Sequence, residues 1–232
     1  METTMTSNAD VIYHPRYRIT LERGSSLVPG AIGRAVSLRG IGQYVDLGDH
    51  MDKCFANIEL CQHGLTISML LKPESLKSNQ YYLSGPTYNV YLENGQLKAD
   101  FFSSGKTWNV SSERFSHTDW NNIVLSWKQE DGLELYVDNK LVSSNRVAGD
   151  MEMNDAQSSR KLYLGRNANT AVQDTAVMMA DEVQFWYANL DTLKLRGLFK
   201  GRNRFANSIL YFPNCFNNNY DDELQLLHNR EK

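Results

Sequence analysis

The feature that most constrains this chain is its punctuation. Short runs of alternating apolar and polar residues follow one another, each ended by a turn signal, and an apolar stripe of helical period is almost nowhere found. Tyr88 to Leu92 and Gln96 to Phe102 flank Asn94-Gly95. Both residues of that pair accept positive φ, so it closes a two-residue hairpin. Trp120 to Lys128 and Leu133 to Val137 flank Glu130-Asp131-Gly132, and Asp138-Asn139-Lys140 turns the chain into Leu141-Val142. Val11 to Pro15, Ala35 to Leu38, Gln43 to Leu47, Leu65 to Leu71, Lys161 to Leu164 and Asp181 to Tyr187 have the same character. Seven or more such strands with turns between them specify an all-β, antiparallel β-sandwich of jelly-roll type. One short helix is predicted over Asp191 to Phe199, with Asp191 or Thr192 as its N-cap and Gly201 near its end.

No composition shift or internal repeat divides the 232 residues, a length that one sandwich domain accommodates. Residues 1–10 read as a flexible leader and 11–232 as a single domain. Within it, 201–232 is a C-terminal extension whose Ser208 to Phe212 is expected to pair, as one more strand, with an outer edge. The chain carries 24 basic and 27 acidic side chains, a net charge of −3. With no long basic run, this argues against nucleic acid as a partner. No stretch of 18 apolar residues occurs, so no transmembrane helix is expected, and the leader has no apolar signal-peptide core. That polar leader fits a piece of a longer protein.

Side-chain parity already sorts the central hairpin. Ile123, Leu125 and Trp127 share one face of their strand, and Leu133, Leu135 and Val137 form the facing apolar row, so the two rows are expected to meet in the core. Trp120 reads as a core or rim aromatic, with sugar stacking as the functional alternative. The five histidines are scattered, and GxSxG, HExxH, P-loop and GxGxxG patterns are missing. The chain therefore reads as a non-enzyme.

Three ordered stretches resemble a known family. Pro29 to Gly40 with Tyr44-Val45-Asp46-Leu47 is similar to the opening of laminin-G-like and pentraxin-like jelly rolls, members of the concanavalin A-like group. Trp120 to Trp127 with Gly132 to Val142 is similar to their central hairpin, and Ala180 to Trp186 with Leu190 to their closing strand and short helix. The resemblance covers roughly Val11 to Lys200 and implies about 12 to 14 strands. The close pair in Cys54-Phe55-Ala56-Asn57-Ile58-Glu59-Leu60-Cys61 resembles, in addition, the pentraxin-like domain at the N-terminal end of adhesion G-protein-coupled receptors.

The resemblance carries expectations with it. It implies a non-catalytic extracellular recognition or adhesion module, at the cell surface within a longer chain, binding a protein or glycan partner. A carbohydrate-binding lectin module of a carbohydrate-active enzyme, and a self-associating homo-oligomeric module, are the alternatives. Related glucanases carry E-x-D-x-E on one strand, which sets alternate carboxylates on one face; here Asp181-Glu182 are adjacent instead. The family often holds calcium at a loop rim, and a calcium ion needs six to eight oxygens. Asp46, Asp49, Asp52 and Asp181 are the candidate ligands, with turn capping as the plainer role. Cys54 and Cys61 are expected to form a disulfide, or two free thiols if the protein is cytosolic. Cys215, the third cysteine, reads as a buried or free thiol or as a bond to another chain. Asn109-Val110-Ser111 is the one sequon, and would make Asn109 a surface glycosylation acceptor in a secreted chain.

Overall fold

Strand-forming segments that bury only one of their two faces must pair into sheets and stack those faces together. A computed structural model of the chain describes residues 11–14, 17–39, 42–75, 77, 79–113, 115, 119–150, 159–169, 175–190 and 210–211. The strands begin with β1 (Val11–His14), β2 (Tyr17–Glu22), β3 (Ser26–Pro29), β4 (Arg34–Leu38), β5 (Tyr44–Asp49), β6 (Leu65–Pro73), β7 (Gln80–Ser84) and β8 (Tyr88–Glu93). They continue with β9 (Gln96–Ser103), β10 (Lys106–Ser111), β11 (Asn121–Lys128), β12 (Gly132–Val137), β13 (Lys140–Asn145), β14 (Gly149–Asp150), β15 (Lys161–Leu164), β16 (Met178–Trp186) and β17 (Leu210–Tyr211). This exceeds the expected 12 to 14 partly because β14 and β17 are two-residue pieces.

The strands form two layers. Sheet A runs β1-β2-β5-β15-β7-β8-β9-β10-β14, and sheet B runs β13-β12-β11-β6-β16-β4-β3. The Asn94-Gly95 hairpin forms as the sequence requires, with φ of 53° and 77° at its two central residues and Glu93 opposite Gln96. The apolar rows meet as expected: Ile123, Leu125, Trp127, Leu133 and Leu135 are all buried in the common core, with Val137 packed against it. Trp108 of sheet A meets Trp127 of sheet B edge to face, 5.4 Å between centroids, which ties the layers together.

Two irregularities shape sheet B. In β16, Asp181 pairs Leu70 and Gln184 pairs Ser68, so Glu182 and Val183 together oppose Met69. Glu182, at φ 48°, is the extra residue of this bulge. As a result Met178 and Ala180 face the core before it, and Val183 and Phe185 after it. The second concerns β17, which lies parallel to β16 at Val183 and Gln184. It therefore does not extend an outer edge as expected. Strand β4 pairs β16 only over Met178 to Ala180, and β17 occupies the flank that β4 leaves.

The helix expected over Asp191 to Phe199, the leader, Cys215 and the extension apart from residues 210–211 lie outside the described residues. Among the described residues, a 3-10 turn, Ile58–Leu60, is capped by Asn57, whose side-chain oxygen accepts from the Glu59 N–H. Among the described residues no helix is long and apolar enough to cross a membrane.

Candidate functional site

Residues opposite one another in an antiparallel pair share a face. In sheet A this rule links residues far apart in sequence. Thr20 pairs Asp46, Asp46 pairs Tyr163, and Tyr163 pairs Ser84. Ser84 then pairs Asn89, Asn89 pairs Asp100, and Asp100 pairs Asn109. The result is one row of polar and aromatic side chains across seven strands. It points outward, because the alternating neighbours Val45, Leu164, Leu83, Val90, Ala99 and Val110 are buried in the core.

The row is crossed at Ser84. The Ala168 N–H donates to Ser84 Oγ at 2.9 Å, and that hydroxyl donates to Asn89 Oδ1 at 2.6 Å. Ser84 is fully buried beneath this crossing, which divides the outward face into two patches.

The patch on β5 and β15 is built around Arg166. Its guanidinium carbon lies 4.8 Å from the Tyr44 ring centre and 4.6 Å from that of Tyr163, and the rings stand edge to face 5.7 Å apart. Each ring offers its electron-rich face to the cation, so the three side chains fix one another. Lys161 Nζ donates to Asp46 Oδ2 at 2.8 Å, a bond that raises the lysine's pKa. The Tyr163 phenol is raised, first by partial burial and then by the Asp46 charge. Tyr44, Tyr163 and Arg166 are all half-buried. This is an amphipathic surface, aromatic and charged, with its rotamers already fixed.

The patch on β7 to β10 is more polar. Tyr81 and Tyr91 stack at 5.2 Å with 17° between planes. Burial raises the Tyr91 phenol strongly, helped by the charge of Asp100 and a hydrogen bond to it. Asn109 Nδ2 donates to Asp100 Oδ1 at 2.8 Å, and Lys98 pairs closely with Glu93.

The four aspartates expected to hold calcium are placed separately. Asp46 accepts from Lys161 and from the Gly48 N–H, Asp49 from Arg160 at 2.8 Å, and Asp52 from Lys53 at 2.7 Å. Asp181 belongs to the other sheet and is fully buried. Its carboxylate accepts the backbone N–H groups of Ala31, Ile32 and Glu182, while burial pushes its pKa up. A Cβ built on Gly30 would lie 2.4 Å from Asp181 Oδ2, so that turn closes directly on the carboxylate. Among the described residues no three His, Cys, Asp or Glu side chains gather as a metal site.

Cys54 and Cys61 are bonded to each other, as the resemblance implies. Asn109 is exposed on β10. Trp120 is half-buried just ahead of β11. A concavity of about 590 Å³ lies where β11 turns into β12, lined by Lys128, Asp131, Glu134, Arg146 and Asn189 among others. Its lining mixes both signs of charge. Sequence reasoning missed Tyr44, Tyr163 and Arg166 as a group. The only signal was alternation in the β5 and β15 segments, which does not say that those strands are neighbours.

A family model described as the concanavalin A-like lectin/glucanases superfamily matches residues 39–193. No curated protein matches this chain in sequence. Among solved structures, the receptor binding domain of botulinum neurotoxin C/D mosaic serotype is 11% identical, with a TM-score of 0.59, over 80% of this chain and 46% of that one. The binding domain of botulinum neurotoxin DC in complex with rat synaptotagmin II gives 11% and 0.57, over 80% and 46%. The serotype D ligand binding domain in complex with N-acetylneuraminic acid gives 10% and 0.55, over 81% and 47%. The chain thus spans less than half the length of these neighbours, and at such identities the likeness is one of fold.

Proposed function

The chain belongs to the concanavalin A-like lectin/glucanases superfamily, and on that premise we propose that it is a non-catalytic extracellular recognition module that binds a protein or glycan partner through the outward face of sheet A. The observation that carries the reading is the Arg166 cluster with Tyr44 and Tyr163. Half-buried aromatic rings fixed by a cation offer apolar area at small entropic cost, and the adjoining Asp46 and Lys161 supply hydrogen bonds. Two fold neighbours were solved with a protein and with a sialic acid respectively. That agrees in kind with a protein or glycan partner. The disulfide supports an oxidising, extracellular setting.

The non-catalytic part of the proposal rests on the carboxylates. Glycoside hydrolysis needs one carboxyl kept protonated beside a second across the substrate. On the outward face of sheet A, Asp46 and Glu93 are engaged with lysines and Asp100 with Asn109. Asp181, whose pKa burial raises, is buried in sheet B under the 30–33 turn.

Binding of the full chain to a glycan array and to a panel of cell-surface proteins tests the reading. Tyr163→Ala and Arg166→Ala should each weaken the captured interaction about tenfold, equal to about 1.4 kcal/mol. Binding unchanged in both variants would remove the face from the account. Selective glycan binding would favour the lectin alternative, and a closed oligomer in light scattering the self-associating one. Calcium is checked separately, by melting the chain in millimolar calcium and in chelator. With each aspartate already bonded within the protein, equal melting temperatures are expected, and a rise with calcium would return the ion to the account.

A further inference from the structure

We propose that Asn109 is an N-glycan acceptor whose oligosaccharide covers the β8–β10 half of the outward face of sheet A and leaves the Tyr44, Tyr163 and Arg166 patch as the open contact. The inference rests on the extracellular setting proposed above. Its geometry comes from β10. Asn109 and Ser111 lie two residues apart on that strand, so both face outward and both are exposed, while Val110 between them is buried in the core. The attachment atom and the hydroxyl the transferase requires therefore share one accessible side, and modification displaces no core side chain.

Among the described residues, strand β14 pairs β10 at Lys106 and Thr107. Beyond that point the flank of β10 meets side chains of β13: Asn145 Nδ2 donates to the Asn109 carbonyl at 3.2 Å, and Ser143 Oγ accepts from the Ser111 N–H at 3.4 Å. The Asn109 amide is also oriented. One of its two N–H bonds points to Asp100 Oδ1 at 2.8 Å, which leaves the other for substitution. A secretory-pathway transferase would move the oligosaccharide from a lipid-linked oligosaccharyl pyrophosphate. The anomeric carbon–oxygen bond to pyrophosphate breaks, an anomeric carbon–nitrogen bond to Asn109 Nδ2 forms, one amide proton is released and the lipid pyrophosphate leaves. The secondary amide keeps one N–H for Asp100. Rooted at that end of the row, the glycan overlies Asp100 and Asn89.

The test is the full chain secreted from a eukaryotic host behind an added leader, followed by intact mass and peptide mapping before and after an amide-cleaving glycosidase. Wild type and Ser111→Thr should carry one N-linked oligosaccharide at Asn109, with the site read as aspartate after cleavage. Asn109→Gln and Ser111→Ala should leave without it while keeping the wild-type melting temperature and the Cys54–Cys61 bond. Secreted, disulfide-bonded wild type with an unmodified Asn109 would overturn the proposal. Partner binding is not part of this readout, so that result would leave the recognition reading standing.

Discussion

The two sheets of this sandwich treat their outer faces in opposite ways. In sheet A, β8 and β9 alternate cleanly, burying every second residue and leaving the rest half-exposed. Sheet B does not, since seven of the eight residues of β11 and eight of the nine of β16 are buried. The difference comes from the chain that follows β16. Leu190 packs with Val124 and Tyr136 on the outer side of sheet B, with Trp186 and Ala188 against them. Below them, the Ser126 hydroxyl donates to Asn189 Oδ1 at 2.7 Å and meets Thr66 Oγ1 at 3.0 Å. Gly64, at φ +89°, brings its backbone against Asn189, where a Cβ would lie 2.9 Å from the Asn189 nitrogen and 2.3 Å from the Trp127 carbonyl. One sheet is thus sealed with a second small core, and the other keeps side chains available for contact.

The sharpest way to break this contrast is to open the sealed side. Leu190→Ala should cost about 2–4 kcal/mol in denaturant unfolding. Tyr163→Ala, on the open side, should stay within about 1 kcal/mol while lowering partner binding. Equal losses for the two would show that the outer faces are not different in kind. Next in size, removing the Cys54–Cys61 bond with a Cys54→Ser, Cys61→Ser pair should cost about 2–3 kcal/mol, because the loop it closes is short. Ser126→Ala removes the hydroxyl shared by Thr66, Asn189 and Leu190, and about 1–2 kcal/mol is expected. If urea unfolding returned no loss there, the polar seam would not hold the covering segment.

The smallest effect concerns acid. Lys106 holds the Asp150 carboxyl below its ordinary value at the edge of sheet A. Its folded pKa is depressed, so the support exists above the unfolded value of about 3.9 and fades as pH falls through the folded value. The pair is exposed, so salt should screen it. Asp181 under sheet B has the opposite sign: its folded pKa is raised, so taking up a proton as pH falls through that value favours the fold. Between pH 6 and 3 the melting-temperature gap between wild type and Asp150→Asn should narrow as pH falls.

Much of this was legible in local chemistry. Asn94-Gly95 and the Ile123, Leu125, Trp127 row specify hairpins and an inward face without any tertiary knowledge, because the period of two and the turn geometry are local properties. The outward row was not legible, since Asp46 and Tyr163, or Tyr163 and Ser84, become neighbours only through strand order. That order places β15 between β5 and β7, and no local property encodes it. The layer of Asp181 was not legible for a related reason: it and Asp49 lie in different sheets, one under a turn and the other at the end of β5.

The extra residue in β16 has a consequence for how this sequence can vary over descent. Delete Glu182, and Val183 still opposes Met69 and Phe185 still opposes Ile67, so both keep facing the core on an unbroken ladder. A deletion in the regular part of the strand would instead turn the residues beyond it to the opposite face. Position 182 is therefore where this strand can lose a letter without losing its orientation.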